Sequence, residues 1–305
     1  MFIRIIKKTP NINFLSKRNF FFITSAVFLI ISLLFLIIKG LNFGIDFKGG
    51  LLIEISLKNN VEINVIRNKL IQTVPGDFSI QNLDNSENNY LIKIETFSDK
   101  ENNNQKLISN IKSILNKEFL EIDYRRLEYV GPTVSSELIQ AGIFAILIAV
   151  SAMLIYIWFR FELPFAVGAV IALLHDVVLT IGMFSITSLE FNLATVAAIL
   201  LIVGYSMNDT VVVYDRIREN IKKFRKISII ELLNKSVNET LSRTINTTAT
   251  TILALLALFI FGGSIIRDFS FAMIWGILIG TYSSILIATP TLVFLNVKRS
   301  QSKEE

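Results

Sequence analysis

Six separate runs of mostly apolar residues dominate this chain, each near the roughly 20 residues that a helix needs to cross a bilayer. They cover Phe20–Ile38, Ile139–Phe159, Pro164–Ile186, Leu193–Tyr214, Thr244–Phe261 and Phe269–Leu295. The last is long enough to cross at a tilt. Length alone would suggest two soluble domains, but 52% apolar against 18% charged residues, with 24 Phe, excludes that. The expected fold is a polytopic α-helical membrane protein with six transmembrane helices.

Arg4, Lys7, Lys8, Lys17 and Arg18 precede the first run with no acidic residue among them. Cleaved signal peptides share that pattern. Here the apolar core is longer than about 15 residues and ends without a small-x-small cleavage site, so a retained anchor is expected. Cations in short loops set orientation. Arg160, the set Arg216, Arg218, Lys222, Lys223, Arg225, Lys226 and Lys235, and then Lys298 and Arg299 all fall on one side if both termini are cytoplasmic. On the other side, Ser188-Leu189-Glu190 carries no cation and Arg267 is offset by Asp268. The net charge of +5 thus has a topological meaning, and no nucleic-acid partner is expected. The absence of Cys excludes disulfides and thiolate metal sites.

Residues 39–137 differ in character. Leu51–Leu57 alternates as a strand, and Val61–Val74 has helical spacing. Pro75-Gly76-Asp77 reads as a turn. Phe78–Leu83 and Tyr90–Thr96 read as strands around Asp84-Asn85-Ser86, Asn104–Phe119 as a helix, and Glu121–Val130 as a last strand. The order β-α-β-β-α-β is that of a ferredoxin-like split βαβ unit. An extracytoplasmic α+β domain is therefore expected between helices 1 and 2. It is flanked by a cytoplasmic segment 1–19, the first span 20–38, the remaining spans within 138–295 and a cytoplasmic tail 296–305. Within 216–240, Ile217, Ile221, Phe224, Ile227, Ile230 and Leu233 recur at helical spacing against a basic face. An amphipathic helix along the inner membrane surface, or a contact for a partner, would use such a stripe.

Polar groups inside hydrocarbon are costly and mark function. Span three contains His175-Asp176, and this is the only His in the chain. Span four is interrupted by Gly204-Tyr205-Ser206-Met207-Asn208-Asp209-Thr210. Tyr205 and Asp209 share one helix face, Ser206 and Thr210 another. Three valines separate Asp209 from the charges beyond, which places it within the apolar span; an interfacial, wetted carboxylate is the plainer alternative. Arg243 opens span five ahead of a Thr-rich face suited to helix–helix hydrogen bonds. Asp209 and Arg243 enter from the same side and are able to pair. Desolvation and a guanidinium act in opposite senses on a carboxyl, which poises it to load and release a proton. Tyr205, Ser206, Asn208, His175 and Asp176 are candidate supporting residues.

No G-x-x-x-x-G-K-[ST] loop and no H-E-x-x-H helix occur. Gly204-Tyr205-Ser206 lacks the next Gly of an intramembrane serine protease, and no enzymatic activity is expected.

Gly44-Ile45-Asp46-Phe47-Lys48-Gly49-Gly50 resembles the G-x-D-F-x-G-G signature of the SecD/SecF family. Gly131-Pro132-Thr133-Val134, Gly204 through Asn220, Ser242-Arg243-Thr244 and Phe261-Gly262-Gly263 extend that likeness along the chain. The resemblance implies half of a resistance-nodulation-division transporter, paired with a separate SecD half. It implies work beside a SecY-containing channel on a translocating unfolded polypeptide, across the bacterial inner membrane. It also implies that the proton gradient, with no cofactor, supplies energy through positions matching Asp209 and Arg243. Two alternatives remain: a scaffold subunit that carries no protons, and a small-molecule efflux half-transporter, which would need a larger outer domain with an apolar pocket.

Overall fold

The computed structural model describes residues 10–71, 74, 78–83, 88–95, 101–119, 121–295 and 297. A 3-10 turn (Leu15–Lys17) leads into α1 (Arg18–Ile38). Then come β1 (Asn42–Phe43), α2 (Ile45–Lys48), β2 (Gly50–Leu57), α3 (Ile63–Leu70), β3 (Phe78–Asn82), β4 (Asn89–Ile94), α4 (Glu101–Glu118) and β5 (Ile122–Val130). The remainder is α5 (Pro132–Arg160), α6 (Leu163–Thr187), β6 (Glu190–Phe191), α7 (Leu193–Lys223), α8 (Ile229–Phe261), α9 (Ser264–Ser283), a π-helical segment (Ser284–Ala288) and α10 (Thr289–Phe294). The chain divides into two compact units, one of Phe43–Phe144 with Glu190–Leu193 and one of the other segments.

In the first unit four strands lie in the order β3-β4-β2-β5, every neighbouring pair antiparallel. With α3 and α4 as the crossovers, this is the expected split βαβ arrangement. Alternate residues of a strand point to one face, so Leu51, Ile53, Ile55 and Leu57 of the central β2 all reach the core against Ile66, Leu70, Ile111 and Leu115 of the helices. Leu52 and Leu91 pack with Ile45 in a second, smaller cluster. The Tyr90 hydroxyl accepts from the Val61 amide at 2.8 Å and donates to the Val61 carbonyl at 2.6 Å. The turns expected at Pro75-Gly76-Asp77 and Asp84-Asn85-Ser86, with Arg4, Lys7, Lys8, Lys298 and Arg299, lie outside the described residues.

In the second unit, six helical stretches are long and apolar enough to cross a membrane. α6, α7 and the last span supply its buried centre, whereas α1 and α5 present large apolar side chains outward, among them Phe28, Leu33, Leu147, Ile148 and Trp158. The buried residues of α1 are Ser25 and Ser32. Ser32 nests on Gly182 of α6, where a Cβ would stand 2.3 Å from its own. Gly276 and Gly280 of α9 admit Ile202 and Ser206 of α7 in the same way. Small residues at such crossings let helices approach closely in lipid.

One expectation is corrected. No separate surface helix occupies 216–240: α7 continues to Lys223, a short link follows, and α8 starts at Ile229. The Ser228 hydroxyl accepts from the Glu231 amide at 3.2 Å and caps α8. Ile217 and Leu233 are fully buried, with Leu232 and Val237 beside them in sequence or one turn on. The apolar stripe is thus spent on packing the two helix ends. The last span is one helical stretch, Ile266–Phe294, whose winding changes near its end. Pro290 has no amide hydrogen and crowds the carbonyl four residues back, and a π-helical segment precedes it. Side chains add bonds to carbonyls of this stretch: Thr289 Oγ1 donates to Ser284 O at 3.0 Å, Thr291 Oγ1 to Ile287 O at 2.7 Å and Tyr214 Oη to Ala288 O at 2.9 Å.

Candidate functional site

The polar residues of α7 divide by helix face. Tyr205, half-buried, donates to Thr251 Oγ1 of α8 at 3.1 Å. One turn on, Asp209 is 4% exposed. It lies within the field of the Arg243 guanidinium on α8 and within hydrogen-bonding reach of Thr281 on α9. Its Oδ2 is buried without a hydrogen-bond partner. Asp209 and Arg243 are electrostatic neighbours rather than a direct ion pair, and Arg243 itself is exposed. Thr281 in turn bonds Thr248 at 2.9 Å, so the Thr-rich face of α8 joins both α7 and α9.

The other face of α7 meets α6 and the last span. Ser206 Oγ donates to Asp176 Oδ2 at 2.5 Å, and Ser283 Oγ reaches the same oxygen at 2.8 Å. Asp176 Oδ1 lies 2.9 Å from His175 Nδ1. Thr210 and Ser284 hydroxyls are 2.8 Å apart. The imidazole stacks on Tyr282, with ring centroids 6.1 Å apart, and the Tyr282 hydroxyl lies 2.9 Å from Ser25 Oγ on α1. The structure therefore brings together Asp209, Tyr205 and Arg243 on one side, and Ser206, His175 and Asp176 on the other. Asn208 joins neither group, because it falls on the exposed face of α7 with Gly204.

Thr281, Tyr282, Ser283 and Ser284 are site residues that sequence reasoning passed over. Their signal was a polar run following Gly280 inside an apolar span. The ends of α7 and α8 hold a further cluster: Arg216 Nε meets Glu239 Oε2 at 2.7 Å, and Asn220 Nδ2 donates to Glu239 Oε2 at 2.8 Å and to Ser236 Oγ at 2.9 Å. Arg160 reaches both oxygens of Asp215 at 2.9 and 2.8 Å. Cations read as orientation signals are thus also ion-paired. Among the described residues no group of three or more His, Asp or Glu is placed to hold a metal.

The Gly44–Gly50 motif is a folded unit. Gly44 abuts Glu190, where a Cβ would meet Oε1 at 2.5 Å, and Gly50, with φ of +142°, would meet the Ile94 carbonyl oxygen at 2.5 Å. Gly49 has φ of +77°. Asp46 Oδ2 accepts from the Leu193 amide at 2.9 Å, and its carbonyl accepts from Ser135 Oγ at 3.0 Å. Phe47 packs edge-on against Phe43 and, tilted, against Phe191. Glu190 also pairs with Lys93.

Residues 110–298 match the family model described as protein export membrane protein SecD/SecF, C-terminal, and residues 34–61 match the SecD/SecF GG motif. A protein translocase subunit SecF of Rickettsia bellii is 44% identical over 298 residues, covering 97% of both chains. The SecF subunit of Calditerrivibrio nitroreducens is 46% identical over 302 residues, covering 96% of this chain and 97% of its own. The crystal structure of SecDF, a translocon-associated membrane protein from Thermus thermophilus, superposes with a TM-score of 0.84 at 34% identity over 98% of this chain. A SecDF structure in a super-membrane-facing form matches at 0.69 and 35% identity over 94%. This chain spans 40% and 39% of those two chains. Motif, spans and relatives agree along the whole length, and the chain belongs to the SecD/SecF family of protein export membrane proteins.

Proposed function

We propose that this protein is the SecF-type half of a protein-translocating pair, and that it uses the proton gradient to drive exported polypeptide across the bacterial inner membrane. The observation that carries the reading is Asp209: a buried carboxyl with one unpartnered oxygen, within reach of Thr281 and beside an exposed guanidinium. A charge at that depth is costly. Protonation removes the cost and the attraction to Arg243 together, so α7 and α8 are held differently in the two states. Coupling requires that protonation and bound polypeptide favour different arrangements by a few kcal/mol.

The partner is a SecD-type half. The exposed face of α7 carries Ala197, Leu201, Gly204 and Asn208, and Arg243 of α8 is exposed as well. Small residues, an amide and a guanidinium are poor groups to leave against lipid tails, and a second set of helices would cover them. The larger assembly is completed by a SecY-containing channel, with both termini of this chain cytoplasmic and the sheet domain on the opposite side. The basic cluster at the α7–α8 link supports that orientation.

The test is gradient-driven export in membrane vesicles carrying Asp209→Asn, with assembly checked by co-purification of the partner. Lost export with intact assembly is expected. Retained export would move the coupling to the partner and leave this chain as a scaffold.

A further inference from the structure

The helical unit contains a second buried carboxylate that the proposed cycle does not use. Asp176 is 0% exposed and His175 is 4% exposed. In its ionised form Asp176 only accepts hydrogen bonds, and its three polar neighbours can each donate one. His175 Nδ1 faces Oδ1, while the hydroxyls of Ser206 and Ser283 both face Oδ2. Placing the Nδ1 hydrogen on the carboxylate fixes the imidazole tautomer, so the remaining lone pair sits on Nε2. That nitrogen is buried and has no hydrogen-bond partner in the protein. It is the open valence of the cluster.

A proton taken up at Nε2 turns a neutral imidazole beside a carboxylate into an imidazolium–carboxylate pair of zero net charge. Release from the same nitrogen restores the negative pair, and no other bond changes. Among the described residues His175 is the ion-pair partner of Asp176, and no lysine or arginine shares it. The groups facing the pair are Ser206 from α7, Tyr282 and Ser283 from α9, and, behind Tyr282, Ser25 from α1. Asp209 is the nearest further carboxyl along α7, three residues or about 4.5 Å of helix axis from Ser206.

We propose that His175–Asp176 is a second proton-binding site of this chain, loaded at His175 Nε2 and transmitted through Ser206 and Ser283. Both carboxylates then act on the same two helices. Asp209 sits on α7 and faces Thr281 of α9; Asp176 holds Ser206 of α7 and Ser283 of α9. Loading either site changes how α7 and α9 are held, one against α8 and the other against α6. As a part of the cycle this site rests on the proton-driven reading given above.

His175 is the only histidine in the chain, which makes the test selective. The protein is produced with isotope-labelled histidine, assembled in lipid with its unlabelled partner, and followed by nitrogen NMR across pH. Nε2 is expected to take up a proton as the pH is lowered, while Nδ1 stays protonated. In Asp176→Asn the midpoint is expected to move by about one pH unit or more, and in Asp176→Glu to stay near the parent value. In His175→Gln, with the partner still co-purifying, the pH profile of gradient-driven export is expected to shift. An Nε2 signal constant across the range, a midpoint indifferent to Asp176→Asn, or an unchanged export profile in His175→Gln would each overturn the second site. Retained export in Asp209→Asn is a separate outcome: it removes the proton-driven reading and leaves the His175 titration standing.

Discussion

The Asp46 carboxylate accepts a hydrogen bond from the Leu193 amide at 2.9 Å. Leu193 opens α7, so the motif that follows the first span supplies a counter-charge to the N-terminus of the helix that carries Asp209. Such a carboxylate satisfies one orphan amide and opposes the helix dipole, a contribution of about 0.5–2 kcal/mol. Asp46→Ala is expected to lower stability by about 1 kcal/mol, and Asp46→Asn by less, because its amide oxygen still accepts. Denaturant unfolding of the two purified variants decides it. Equal losses would assign the effect to charge alone, and no loss in either would remove the cap.

The two glycines that end the motif are expected to behave differently. Gly49 has φ of +77° and its nearest hindrance to a Cβ is 3.4 Å away, so Gly49→Ala meets backbone strain only. That costs about 1–2 kcal/mol. Gly50 adds a collision with the Ile94 carbonyl oxygen at 2.5 Å, inside the β2–β4 ladder. Overpacking of that kind adds typically about 1–3 kcal/mol more. Unfolding midpoints should therefore fall further for Gly50→Ala than for Gly49→Ala, and the reverse order would contradict this account.

How much was legible in the sequence depended on whether the signal was local. Spans and strands were, because residue period and run length are properties of a short window. Asp209 stood out because a carboxylate inside an apolar run has no inexpensive explanation. The stripe Ile217–Leu233 suits a surface helix, a partner contact or a helix–helix contact equally, because lipid headgroups and a neighbouring helix demand the same amphipathic pattern. Tertiary packing chose between them. Thr281 and Ser283 were missed since hydroxyl residues are tolerated on many spanning helices, bonding to their own backbone as Thr250 does to Asn246 O. Asn208 adjoins Asp209 in sequence only, since one step of a helix turns a residue by about 100° and carries it to the exposed face.

Tyr214 is expected to hold the π-helical segment. Its hydroxyl donates to the Ala288 carbonyl at 2.9 Å, and its ring packs on Phe165 and Phe161 with centroids 5.2 and 5.9 Å apart. Tyr214→Phe keeps the rings and removes the hydroxyl donor, while the Ala288 carbonyl, at the start of α10, keeps its intrahelical bond. A hydrogen bond lost in that way costs about 0.5–1.5 kcal/mol, and interhelical hydrogen bonds in membranes often measure nearer 0.6 kcal/mol. A loss between those bounds is expected in detergent unfolding. Hydrogen exchange around Ser284–Ala288 should rise in the same variant, and unchanged exchange would show that Thr289 and Thr291 suffice.

Gly280 tests whether α7 and α9 act as one unit. A Cβ there would stand 2.8 Å from Ser206 Cβ and 3.1 Å from its Oγ, the atom that donates to Asp176. Gly280→Ala must displace Ser206, at an overpacking cost of about 1–3 kcal/mol. Ser206→Gly removes the colliding atoms and with them one donor to Asp176. If the two positions are in contact, the double variant regains part of what the single ones lose, with a coupling energy of at least about 0.5 kcal/mol. Additive losses would mean that the helices separate at this point. The same four proteins, assayed for export, separate packing from chemistry. Packing predicts recovery in the double variant, whereas a need for the Ser206 hydroxyl predicts that stability returns and export does not.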